Sequence, residues 1–406
     1  MFWNFLAIRC VRGFLVPVML AGLLTGLETA SASPATCVSW SGTPAGNPGM
    51  PDNVLTATSV LSPCDAWAVG WNSGTAVNQT LIEHWDGTRW TPVTSPSPGT
   101  SDNILNGVSA ISGSDAWAVG AYSDGAGDRT LILHWNGSGW APVASPNPGS
   151  TTSLSAIDAV SAKDVWAVGD YSIVAAGPPA RADATGRDAA ARTATTGSHT
   201  LVLHWNGTSW KQVASPTPGS GGGLTGVTAT SASNAWAVGG YTGTGGADLN
   251  MILHWNGTAW TRQASPAPGT ASALAGADAT SASNAWAVGV FNNGTVDRTL
   301  TLHWNGTKWA RIPSPDVGAS TNLLNGVAAA SAGSARAVGG YAIAGGSSTL
   351  VLRWDGTRWA QVPSPTPGST NAQLLGVAAG PASGFWAVGY FVATSPQVDT
   401  LALHCC

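Results

Sequence analysis

The sequence predicts an all-β fold, a β-propeller of seven four-stranded blades, from three observations. A segment of the form Asp-Ala-Trp-Ala-Val-Gly recurs seven times at a near-constant interval, a Trp-Asn/Asp-Gly hairpin follows six of the copies, and the two ends of the chain complete each other's repeat. Composition agrees: 52 Gly and 25 Pro among 406 residues, with 9% charged, suit many short strands and turns rather than helices. The net charge is −4 and only three of the 16 cationic residues are Lys, so no basic stripe points to nucleic acid.

The N-terminus reads as a secretory signal over residues 1–32. Arg9 and Arg12 precede the apolar run from Phe14 to Leu24, and Ala30-Ser31-Ala32 offers a small-residue cleavage site. The run is short of the roughly 20 residues a membrane span needs. The expected product is a secreted, extracellular and monomeric chain, with the propeller over residues 33–406.

The repeat is anchored on Trp67, Trp117, Trp166, Trp236, Trp286, Arg336 and Trp386, spaced by 50, 49, 70, 50, 50 and 50 residues. In the second copy, Leu105 to Ile111 gives the innermost strand and Ala116 to Tyr122 the next. Thr130 to Trp135 and Trp140 to Ser145 give the third and fourth. Asn136-Gly137 between the last two predicts a two-residue type I′ turn, repeated at Asp86, Asn206, Asn256, Asn305 and Asp355. Along the second strand, Trp117 and Val119 alternate with Ala116 and Ala118, a bulky face against a small one. That alternation lets twisted blades stack around an axis.

The seventh copy stops after its third strand, at Cys406. The segment from Trp40 to Leu55 aligns without a gap on Trp90 to Leu105, sharing Pro48/Pro98, Gly49/Gly99 and Asn53/Asn103. The N-terminal segment is therefore expected to supply the outermost strand of the last blade, which leaves no open sheet edge.

The units resemble the propeller repeats of uncharacterised secreted bacterial proteins. They are more distantly similar to kelch repeats of the galactose-oxidase-like type, through Gly239-Gly240-Tyr241, Gly339-Gly340-Tyr341 and the tryptophans Trp260 and Trp359. The double Gly stands in two of seven copies. The resemblance implies the fold and little about activity, because propellers host enzymes, lectins and scaffolds alike.

Candidate chemistry is sparse. His84, His134, His204, His254, His303 and His404 share one repeat position, but third strands of neighbouring blades lie on the order of 10 Å or more apart, too far for one metal ion. Each histidine is expected to bond locally. The repeated tryptophans are expected in the core. Asn78, Asn136, Asn206, Asn256, Asn293 and Asn305 match glycosylation acceptors, and turn chemistry explains most of them without a sugar. No nucleophile elbow, zinc motif, phosphate loop or sialidase Asp-box is found, and no catalytic residue, cofactor or metal is expected.

Departures from the repeat carry more. The third unit holds about twenty extra residues within Ile173 to Ser198, with Arg181, Arg187 and Arg192, expected as a mobile loop. Arg336 and Arg353 replace the tryptophan and the histidine of the sixth unit, a weak candidate anion site beside the alternative of a drifted blade. Glu83 and Asp170 are acidic singletons. Cys37, Cys64, Cys405 and Cys406 are an even set in an exported chain, and Cys37 aligns on the turn where Cys405 and Cys406 end. A bond from Cys37 to Cys405 or Cys406 would replace the missing turn, with Cys64 taking the other cysteine. The expected function is binding or scaffolding of a protein or glycan through one loop face, the alternatives being a carbohydrate-active enzyme with acids in the central funnel and a structural module.

Overall fold

The computed structural model describes residues 39–49, 51–74, 76–175, 194–195, 197–368, 371–381, 384–394 and 397–405. The signal read over 1–32, Cys37, Cys406 and most of the insertion lie outside them. Seven four-stranded antiparallel sheets form the ring, and no α-helix occurs among the described residues. Blade 1 runs Asn53–Ser62, Asp65–Ser73, Asn78–Trp85 and Trp90–Pro92 from the axis outwards. Blade 3 runs Thr151–Ser161, Asp164–Ser172, His199–Trp205 and Trp210–Gln212. Blade 4 runs Gly221–Ser231, Asn234–Thr242, Asp248–Trp255 and Trp260–Gln263. The remaining blades repeat this order.

Blade 7 is composite. Its three C-terminal strands, Ala372–Ala379, Phe385–Thr394 and Gln397–Cys405, are completed by Ser41–Gly42 from the N-terminal segment. Ser41 pairs with His404 and Gly42 with Leu403, and the Thr43 amide donates to the Ala402 carbonyl at 2.9 Å.

Blades stack through the second strands. Trp117 and Val119 leave blade 2 and pack on Val165, Ala167 and Trp210 of blade 3, while Ala116 and Ala118 receive Trp67 and Val69 of blade 1. Trp286 meets Trp354 of the next blade at 4.9 Å between ring centroids and Trp359 at 5.0 Å. Small residues on the receiving face are what admit an indole there. Each second strand carries a mid-strand glycine that leaves no room for a side chain. At Gly70 a Cβ would fall 1.9 Å from the Val54 carbonyl oxygen, where a bulge in the innermost strand presses against it.

Two local expectations need correction. The hairpin between third and fourth strands is a four-residue loop, Asn136 to Gly139, closed by the pair Trp135 and Trp140. Asn136 Oδ1 accepts from the Ser138 amide at 3.0 Å, the Ser138 hydroxyl at 2.7 Å and the Gly139 amide at 3.1 Å. The Asn side chain thus builds the turn itself, and Gly137 supplies the positive φ of 89°. The fourth strand also stops at Pro142, with one further ladder bond from the Val143 amide to Ile132. Blades 3, 5 and 6 stop at the same place on Gln212, Arg311 and Gln361, so the short fourth strand belongs to the repeat and not to the proline.

Candidate functional site

The ends of the second strands and the starts of the third and innermost strands share one face of the ring. There, across blades 3, 4 and 5, a groove of about 520 Å³ opens. Its floor is backbone: Gly197, Gly221 to Gly223 and Gly240. Its walls are Asp170, Ser198, Tyr241, Thr242, Asp248 and Ser272.

The groove exists because side chains found in other blades are missing. Gly240 stands where blade 1 has Trp71 and blade 7 has Tyr390, and a Cβ there would meet nothing closer than 3.5 Å. Gly222 stands where Asn53, Asn103 and Asn322 tie down their loops; the Gly99 amide, for example, donates to Asn103 Oδ1 at 2.6 Å. In blade 4 the Gly222 amide donates instead to the Ser198 carbonyl at 2.8 Å, linking the blade to its neighbour.

Asp170 is fixed by hydroxyls from two strands, Ser153 at 3.1 Å and Ser198 at 2.8 Å. Asp248 accepts from the Thr242 hydroxyl at 3.0 Å. Tyr241 bonds through its hydroxyl to Arg262, whose guanidinium also lies 4.5 Å from the ring centroid. The lining therefore offers two carboxylates, several hydroxyls and an aromatic edge, with no cation among its residues. Such a surface suits hydroxyl and amide donors and disfavours anions.

The central channel is the second concavity, about 350 Å³ towards the opposite face. One repeat position rings it: Ser59, Ser109, Asp158, Thr228, Asp278, Ala328 and Ala378. Ser59 accepts the Ala110 amide of the next blade at 3.0 Å, and Ser109 accepts that of Ala159 at 3.1 Å. Asp158 accepts the Ala229 amide at 2.7 Å and Asp278 that of Ala329 at 2.7 Å. These side chains lace each innermost strand to its neighbour. Burial pushes the Asp158 carboxyl up to about 6. Burial, with the Asp158 charge adding to it, pushes Asp278 up to about 7. Sequence reading passed over both, because the acids fall in a column of serine, threonine and alanine. Alignment of the innermost strands alone exposes them.

The other singled-out residues separate. His84, His134 and His204 bond through Nε2 to Asp65, Asp115 and Asp164 at 2.8, 2.8 and 2.7 Å. His254 and His303 bond to Asn234 and Asn284 at 2.9 and 2.8 Å. Each histidine of this column stacks or tilts on the tryptophan of its own blade, as His134 does at 4.1 Å from Trp117. No group of three potential metal ligands forms among the described residues.

Arg336 is 1% exposed, and its guanidinium lies 4.7 Å from the Phe385 ring centroid. Phe385 stands where the other second strands begin with Ala or Val, and Cys405 stands where third strands end in Trp. The blade 6–7 contact thus exchanges several residues together. Arg353 lies opposite Arg336 in the sheet, half-buried, and burial together with that second cation lowers Arg336 to about 10. A dissolved anion would reach only Arg353. Cys64 and Cys405 are both partnered, and neither is a free thiol.

Solved structures share the fold. YCF48 bound to a D1 peptide is similar over 92% of this chain and 97% of its own, with a TM-score of 0.51 and 15% identity. YCF48 from Cyanidioschyzon merolae is similar over 90% and 98%, with a TM-score of 0.51 and 16% identity. An ulvan lyase, a polysaccharide lyase, follows at a TM-score of 0.49 and 10% identity over 89% and 96%. No family model and no curated protein matches the chain. At these identities the likeness establishes a β-propeller, and among its neighbours are both a peptide-bound protein and a glycan-active enzyme.

Proposed function

We propose that this chain is an exported binding propeller that takes an extended segment of a protein partner in the groove across blades 3 to 5. The signal read over residues 1–32 and the extracellular location belong to this proposal, as does the kelch-like kinship of Gly239-Gly240-Tyr241. The carrying observation is the groove: three blades long, floored by glycine backbone and walled by Asp170, Tyr241 and Asp248. A floor without side chains lets an extended peptide lie close to the fixed acceptors Asp170 and Asp248, which suit its main-chain donors. YCF48, of the same fold, is known with a peptide bound, which supports a protein ligand.

The alternative, a carbohydrate-active enzyme, draws on Asp158 and Asp278, since a raised carboxyl pKa suits a general acid. Serine clasps the equivalent amides in blades 1 and 2, so lacing the ring accounts for these acids, and binding is placed first.

Gly240→Trp tests the site, because blade 1 already carries Trp71 at that position. Peptides selected by display on the wild-type chain should lose at least tenfold in affinity on the variant, with Tm unchanged. Equal binding by both chains would remove the groove from consideration. A glycan-array hit lost in the variant would keep the site and change the ligand.

A further inference from the structure

Glu83 is where blade 1 breaks its third strand. The other six blades carry Leu133, Leu203, Leu253, Leu302, Leu352 and Leu403 at this position, every one fully buried. Glu83 is buried to the same degree, 0% exposed, and neither carboxyl oxygen has a hydrogen-bond partner.

What covers it is the segment that closes the ring. Between the outermost strand of blade 7 and the innermost strand of blade 1, the chain from Thr43 to Gly49 crosses the seam. Gly46 lies directly on the acid: a Cβ there would come 2.7 Å from Glu83 Oε1 and 2.6 Å from Pro92 Cγ. The crossing is held by few bonds. Thr43 donates to Ala402 at 2.9 Å, the Thr400 amide to Asn47 Oδ1 at 2.8 Å and its hydroxyl to the Gly46 carbonyl at 3.3 Å, while Gly49 and the Asn53 side chain exchange bonds of 2.8 and 3.0 Å.

We infer that Glu83 makes ring closure responsive to pH: uncharged, it lets Thr43 to Gly49 seat over it, and ionised, it lifts them. A carboxylate faced by the Gly46 amide alone, with no bond of good geometry to either oxygen, is costly in an apolar seam, and raising this short segment is the least costly route to water. Burial already pushes Glu83 up to about 7, opposed only by the Gly46 amide, and no neighbouring charge acts on it. His84 points to the opposite face of its strand and bonds Asp65. From blade 7, His404 stacks on Trp386 and Asp399 accepts from Gln397. The strand that follows, Trp90–Pro92, brings no titratable group.

Hydrogen exchange at Thr43, Gly49 and Thr400, whose amides make the bonds of the crossing, tests the inference, compared at pH 5.5 and 8 after correction for intrinsic rates. An acid at about 7 when covered and at its ordinary value of 4.5 when lifted makes the opening constant roughly 30-fold larger at pH 8. Glu83→Gln and Glu83→Leu should abolish that increase. Glu83→Gln keeps the shape of the uncharged acid and carries the test even where the leucine variant folds poorly. The same increase in Glu83→Gln, or none in the wild type, would overturn the inference.

Discussion

Asp278→Ser should change how stability depends on pH while leaving the ring intact. Serine does the same lacing in blades 1 and 2, so the variant keeps an acceptor for the Ala329 amide. The magnitude follows from the carboxyl, raised from 3.8 to about 7. Between those values the folded chain holds a proton that the unfolded chain has released. Stability therefore falls as pH rises from about 4 to about 7 and is level above. Three units correspond to about 4 kcal/mol in full, and the channel's contact with water reduces this to about 2 kcal/mol. Urea unfolding at pH 4.5, 6 and 8 would measure it. Relative to wild type, Asp278→Ser should gain about 2 kcal/mol on going from pH 4.5 to 8. Asp158→Ser should lower the midpoint of the remaining titration, because the Asp158 charge contributes to the position of Asp278. An unchanged pH slope in Asp278→Ser would refute the reasoning, and with it the view that these acids are buried lacing groups.

Two further predictions concern the stacking and the closure. Trp286→Ala removes a fully buried indole wedged against Trp354 and Trp359 and should cost about 4 kcal/mol in chemical denaturation. Trp304→Ala, at a half-exposed position, should cost clearly less; equal losses would contradict the blade-stacking account. Cys37, Cys64, Cys405 and Cys406 should pair as two disulfides, with Cys37 bonded to Cys405 or Cys406, and reduction should lower Tm by several degrees. Peptide mapping without reductant decides this, and a free thiol at Cys37 in exported protein would refute the pairing.

The ring was readable because each blade repeats the same physical solution. Trp67 and its equivalents need a small receiving face, Gly70 and its equivalents a bulge, and Trp40 to Leu55 aligns on the strand that blade 7 lacks. The turn type was not readable. Asn-Gly signals a tight two-residue turn on average, whereas Asn136 here spends its carboxamide on three donors and holds four residues open. The groove was only half readable. Asp170 stood out as an acid, but the space beside it comes from side chains that Gly222 and Gly240 do not have. Absence leaves little mark in a glycine-rich sequence. Arg336 was readable only as a departure from the repeat, for a related reason. Its setting depends on Phe385 and Cys405 across the blade boundary, and no local pattern connects those positions.

Departures from the repeat thus fall into two groups with different physical consequences. Between blades 6 and 7, Arg336, Phe385 and Cys405 are exchanged together and, with Trp40 at its usual repeat position, refill one interface, so this contact is as closed as the others. Between blades 7 and 1, Glu83 is a buried polar group that no exchange accommodates. On the loop face, Gly222 and Gly240 subtract contacts, and Asp170 adds a carboxylate held by hydroxyls rather than by a cation. Trp71 fills this space in blade 1 and Tyr390 in blade 7, whereas blade 6 also carries a glycine there, Gly340. What sets blade 4 apart is that its glycines Gly222 and Gly240 fall together beside the fixed acceptors Asp170 and Asp248, which is the basis of the proposed function. Under the proposed function Asp170 belongs to the surface that takes a partner, whereas Glu83 belongs to the seam between blades 7 and 1, where the inferred pH response acts.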